Sequence, residues 1–240
     1  MEIIKEPIIF QQARYSTKDL SVFVENWGQW IRNAPREMTS FLMISKGGRA
    51  GYTLNAMNVW AGANQSKALP VLEAAMNIDQ VVQHNATLLS YPEIVPTPND
   101  THRGQQKLRF RNGLVNEADG HLGKAIADTL INVGVAVVEL RSLGGAVNDV
   151  PTHETAWSAR HQEAFVSAWI QPMVDEAEKE AFQPLQEIAT GNYGAYSSDL
   201  SQENAELTWS GVTGEKLKKI AETVDSTGLF DQGLTIRNYS

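Results

Sequence analysis

The chain has 240 residues, 42% of them hydrophobic, with 28 acidic and 20 basic side chains and a formal net charge of -8. That is enough apolar material for one large core or two small ones, and the acidic balance argues against nucleic acid or an anionic membrane as the main partner. The chain has no cysteine, which excludes disulfides, thiolate catalysis and cysteine-ligated metals.

No apolar run approaches the ~20 residues of a membrane span. The first stretch, MEIIKEPIIFQQARYSTKD, has neither a long apolar core nor a cleavage-like site. A soluble, cytoplasmic protein with no signal peptide is therefore expected. Sequons at Asn64, Asn85, Asn99 and Asn238 carry little weight at this content of Asn, Ser and Thr.

In chain order, Ile8 to Tyr15 reads as a strand. Leu20, Phe23, Val24, Trp27, Trp30 and Ile31 fall at helical spacing, with Ser16 or Thr17 as cap and Pro35 as stop. SFLMI and YTLNAMNVW flank the glycine-rich SKGGRAG as a hairpin, and NQSKALPVLEAAMN reads as a second helix. Tyr91 to Arg103, with three prolines, reads as a loop. KLRFRNGLV is strand-like, ADGHLGKAIADTLIN a helix broken by glycines, and VAVVELRSLGG and EAFVSAWIQP two further strands. MVDEAEKEAFQPLQEIAT is an amphipathic helix; an irregular tail follows, then a last helix, TGEKLKKIAETVD. Hairpins beside crossover helices predict an α+β fold, a large antiparallel β-sheet covered on one face by helices.

Motif by motif, the chemistry narrows. The five histidines are His84, His102, His121, His153 and His161, and none sits in zinc-protease spacing: Trp157 stands where His153-Glu154 would need a second histidine. No metal site is expected. There is no G-x-S-x-G nucleophile elbow. SKGGRAG and LGGAV match no nucleotide fingerprint, which leaves each of them between a plain turn and a phosphate cradle. Tyr193, Tyr196 and Trp209 in the tail suit the wall of a pocket for a planar ligand, and equally a hydrophobic edge.

The order of these features resembles the FAD-linked oxidases of the berberine bridge enzyme-like type, in the vanillyl-alcohol-oxidase superfamily. LGGAVNDVPTHETAWSARHQEAF supplies the family's Gly-Gly-Ala strand end at Gly144, Gly145 and Ala146, then Thr155, Ala156 and Arg160. Trp157 replaces a phenylalanine, and Ser158-Ala159 a Pro-His pair. In the tail, YGAYSSD gives Tyr193, Tyr196 and Asp199, with Ala195 where the family carries asparagine. Trp209 and Gly211 follow, then Leu217, Ile220, Asp225 and Phe230.

The resemblance covers nearly the whole chain, yet the family's flavin-attachment loop and glycine-rich pyrophosphate loop have no counterpart in it. It implies a substrate domain over residues 1–190 and a berberine-like C-terminal segment over 191–240, with FAD as cofactor held mainly by an absent domain. It further implies hydride transfer from a small organic substrate to flavin. Tyr193, Tyr196 and Glu139 are the candidate catalytic bases. Trp60, Trp169, Arg160, Asp199 and Trp209 are expected to face substrate or flavin. Gly144 and Gly145 would permit a corner before Arg160, which would anchor the next strand. The implied partner is an FAD-binding domain or subunit, or a second copy on the exposed sheet face. The alternatives are a cofactor-free binding or assembly module on that face, and a cofactor-free isomerase or cyclase.

Overall fold

The computed structural model describes residues 7–94 and 107–238. Seven strands form one antiparallel sheet: β1 (Ile8–Thr17), β2 (Met38–Lys46), β3 (Tyr52–Trp60), β4 (Val81–Leu89), β5 (Arg109–Val115), β6 (Val135–Ser142) and β7 (Ala164–Ile170). They lie in the order β4-β1-β3-β2-β6-β7-β5. Helices α1 (Leu20–Asn33), α2 (Gln65–Ala75), α3 (Gly120–Ile131) and α4 (Asp175–Gln186) alternate with the strands. Two shorter elements, α5 (Gln202–Thr208) and α6 (Gly211–Val224), belong to the tail. The α+β arrangement is the one the sequence implies.

Alternation along each strand decides what the two faces carry. Leu42 and Ile44 of β2, Leu54 and Ala56 of β3, Val138 and Leu140 of β6, and Val166 and Ala168 of β7 share one buried core. Phe23 and Trp27 of α1, Leu122 and Ile126 of α3, and Phe182 and Leu185 of α4 close it. Met38 and Trp60 form a smaller cluster with Ala68 and Leu72 of α2. This corrects one expectation. Trp60 is 1% exposed and points into the helix side, away from the open face of the sheet.

A chain of buried polar groups crosses the helix side. Trp27 Nε1 donates to Ser40 Oγ (2.9 Å), Ser40 Oγ to Asn58 Oδ1 (2.7 Å), and Asn58 Nδ2 to Gln11 Oε1 (2.9 Å). Gln11 Nε2 then donates to Leu72 O (3.2 Å), joining α1 to α2 across three strands. Each of these groups is satisfied, which is the condition for a polar row inside a core.

The structure departs from the sequence reading at several points. The cap of α1 is Asp19, whose side chain accepts from Ser21 N and Val22 N, because the strand before it runs on through Thr17. The glycines of α3 do not break it; its own cap, Asp119, accepts from His121 N and Leu122 N. Strand β4, unforeseen, is a mostly exposed edge paired only with β1, so it has no need of an apolar alternation. Residues Tyr91–Ile94 form one 3-10 turn. The rest of the expected loop, with Asn99 and His102, lies outside the described residues.

Helices α1 and α3 touch through glycine. A Cβ on Gly28 would stand 1.8 Å from Ala118 O, and one on Gly123 would stand 2.3 Å from Leu20 O. Glycine to alanine inside a helix ordinarily stabilises by about 0.5–1 kcal/mol. Here the sign reverses: Gly28→Ala and Gly123→Ala are each expected to destabilise by about 1–3 kcal/mol through overpacking. Urea unfolding measures this, and a midpoint at or above that of the parent chain would contradict the packing argument.

Candidate functional site

The face without helices is covered at one end by the tail. Gly191 bridges to Leu114 beyond the edge strand β5, and Ser198 N donates to Phe110 O (2.8 Å). Asn112, buried on β5, holds the tail by three bonds. It accepts from Tyr193 N (2.9 Å) and donates to Tyr193 O (3.1 Å) and Tyr196 O (2.7 Å). The segment so fixed lays the Tyr196 ring over β6 and β7.

There it meets Glu139. This residue of β6 is 0% exposed, and its carboxylate receives three donors from three elements. Arg141 Nε of β6 donates to Oε1; Trp169 Nε1 of β7 (3.0 Å) and Tyr196 Oη of the tail (3.1 Å) donate to Oε2. The Arg141 guanidinium lies over Phe41 (5.1 Å), Phe165 (5.5 Å) and Tyr196 (5.5 Å). It is thus caged by ring faces, while its side chain stays 48% exposed. Rings continue in edge and tilted contacts from Trp169 through Phe110, Tyr196 and Phe165 to Tyr193 and Trp157.

Burial first, then the charge and hydrogen bond of Glu139, push the Tyr196 phenol up to about 12. At neutral pH Tyr196 is therefore a neutral phenol that donates to Glu139 Oε2. Tyr15, on the helix side, is also pushed up to about 12, by burial.

The expected site residues fall into two sets. Glu139, Tyr196 and Trp169 are joined directly. Tyr193 belongs to the same ring belt, 42% exposed and edge-on to Trp157 and Phe165. Asp199 lies at the β5 edge, paired with Arg111 at 2.7 Å. Burial there raises its carboxyl, but bonds from Ser201 and the charge of Arg111 outweigh it and the net shift is downward. Trp209 caps α5 and lines an apolar cavity of about 570 Å³ with Leu217, Ile220 and Phe230.

Arg160 is also corrected. It stays inside the connection from β6 to β7, where it donates to Val147 O and Thr155 Oγ1 and is buried rather than facing the site. Gly144 and Gly145 do turn the chain there, with φ of 140° and 60°. Arg141, Phe41, Phe110, Phe165 and Asn112 went unforeseen. The signal for Arg141 was its place two residues after Glu139, which puts both on one face. Among the described residues no group of three or more His, Cys, Asp or Glu could hold a metal, and no helix is long and apolar enough to cross a membrane.

These features define a class: an antiparallel sheet roofed by helices on one face, with a C-terminal tail closing a carboxylate-centred site on the other. No family model matches the sequence, and no curated protein does. Solved structures do share the fold. BBE-like 1 of Physcomitrella patens superposes with a TM-score of 0.74 at 13% identity, over 98% of this chain and 55% of that one. A chitooligosaccharide oxidase gives 0.72 at 15%, over 95% and 55%. The xylooligosaccharide oxidase of Myceliophthora thermophila C1 gives 0.71 at 14%, again over 95% and 55%. The chain has the fold of part of these proteins and spans about half of their length.

Two predictions come from this geometry. Glu139→Ala strands the donors of Trp169 and Tyr196, and is expected to cost about 1–3 kcal/mol and to speed amide exchange across the tail from Gly191 to Asp199. Glu139→Gln keeps one acceptor and loses less; equal losses would show that acceptance by Glu139 does not hold the tail. In alkali, the folded state favours the neutral phenols of Tyr15 and Tyr196. The stability they confer is full below the ordinary value of 10.0 and is lost as pH rises toward about 12. Tyr196→Phe should remove one high-pH step from the tyrosinate absorbance titration.

Proposed function

We propose that this chain is the substrate-facing portion of an FAD-linked oxidoreductase, working with an FAD-binding domain or subunit that holds most of the cofactor. What carries the reading is the buried Glu139 carboxylate beneath Tyr196, on the uncovered sheet face of a fold shared with oxidases. The ring belt and the Tyr196–Glu139 pair fit one side of a planar, hydrogen-bonding ring such as isoalloxazine. They do not fit its diphosphate, since SKGGRAG and LGGAV match no phosphate-binding fingerprint. A partner must hold that part. FAD, when bound, would supply a hydride acceptor.

The work of this chain's own residues follows from the hydrogen-bond directions. A substrate hydroxyl donating to Tyr196 Oη passes its proton there as the Tyr196 proton moves to Glu139 Oε2. The oxygen left on the substrate is then negative, and Glu139 neutral. Arg141, bonded to Glu139 and caged by rings, holds the carboxylate in position as the acceptor. Trp169 fixes the second carboxylate oxygen and excludes water from it.

The test is to isolate the tagged chain from its native host and record the spectrum of what is eluted. A yellow preparation absorbing near about 450 nm, as flavins do, with the flavin-binding part in the same complex, is expected. A colourless preparation that takes up no FAD overturns the reading. In the yellow complex, Glu139→Gln should slow turnover by about 10²-fold or more with flavin content unchanged; unchanged turnover would remove Glu139 from the role.

A further inference from the structure

Acidic residues outnumber basic ones in this chain, yet the seven strands contain a single acidic residue, the buried Glu139. Among the described residues, the strands of the half that the tail does not cover therefore carry no carboxylate, and they present a cation, Arg14. Register places Gln83, Arg14, Asn55, Met43 and Glu139 in one row across β4, β1, β3, β2 and β6. From Arg14 to Glu139 is three strand spacings, about 14 Å.

Around Arg14 the surface forms a concavity of about 460 Å³, to which Gln12, Asn55, Gln83 and Asn85 contribute amides. Met43, next to Glu139 in the register, lies at its site-facing side. Arg14 Nε donates to Asn55 Oδ1 (3.1 Å), which fixes the guanidinium and leaves Asn55 Nδ2 as a donor. Asn85 Oδ1 likewise accepts from Thr87 Oγ1 (3.0 Å), leaving its own Nδ2 as a donor. Among the described residues no carboxylate lines the concavity or forms an ion pair with Arg14. A guanidinium held by one nitrogen and flanked by amide donors presents its remaining N–H groups as a fork for an oxyanion.

We propose that this concavity is an oxyanion-binding subsite, taking a small organic molecule through a carboxylate or phosphate group. Arg14 pairs with the charge, while Asn55 and Asn85 donate to its oxygens. That the bound molecule is also the substrate, with its reacting end reaching Tyr196, rests on the oxidoreductase reading above; the anion site itself does not.

The experiment is an NMR titration of the folded chain with three probes: glycerol 3-phosphate, malate and glycerol. At least one of the two anions should shift the amides of β1, β3 and β4, while glycerol should not, and the tighter anion tells phosphate from carboxylate. Arg14→Gln should weaken anion binding tenfold or more, and added salt should weaken it further. Arg14→Lys keeps the charge without the fork and should retain part of the affinity, which guards against a folding defect in R14Q. The proposal is overturned if neither anion shifts those amides up to about 10 mM, or if R14Q binds as the parent does. Anion binding in a chain that takes up no flavin would sink the oxidoreductase reading alone.

Discussion

Everything on the open face depends on one buried charge. Removing a carboxylate from water costs several kcal/mol unless its lone pairs are met. Glu139 meets that cost with donors from β6, β7 and the tail, so three elements must be in place together for any of them to be comfortable. Arg141 balances the charge without being buried itself, since ring faces of Phe41, Phe165 and Tyr196 replace part of its hydration. The tail is therefore located by hydrogen bonding to Glu139 and Asn112, beside its backbone bonds to Leu114 and Phe110 and the ion pair of Asp199 with Arg111.

The sheet makes this possible by separating two chemistries at a spacing of one residue. Leu140 points into the core while Glu139 and Arg141 point out. On the helix side the polar row from Trp27 to Gln11 is closed on itself and on the backbone of α2, with each partner donating or accepting within the protein. On the open side the polar groups of β1 and β3 are exposed and only partly used. The first row is a structural device. The second is a surface with donors to spare.

Much of the architecture was legible in the sequence because helical spacing and strand runs survive without knowledge of partners. The phase of the strands was not. Trp60 and Trp169 look equivalent as tryptophans in apolar strands, yet one fills the core and the other holds Glu139. A one-residue shift in register exchanges those fates, and only the pairing to neighbouring strands fixes it. Strand β4 hid for the related reason that an edge with both faces largely wet leaves no apolar alternation to read. Glu139 stood out even so, as the one acidic residue in an apolar run. Tyr196 stood out separately as a tail aromatic, but its pairing with Glu139 did not, because a contact 57 residues away in sequence leaves no local trace.

The two ends of the open face also differ in a way that sets a direction. Over β6, β7 and β5 the tail and its rings close the surface, and Glu139 is out of reach of bulk water. Over β4, β1 and β3 no described element covers the open face, and Gln12, Arg14 and Asn55 are exposed. On the proposed reading, a molecule reaching Tyr196 would extend over β1 and β3, where polar side chains are exposed. The reactive end would sit among aromatic rings that exclude water and the distal end among amides that hydrogen-bond it. Proton transfer gains from a dry surrounding, where charges interact more strongly, whereas recognition of a polar ligand gains from donors that remain wet until it arrives. One sheet supplies both, because its covered and uncovered strands share a face.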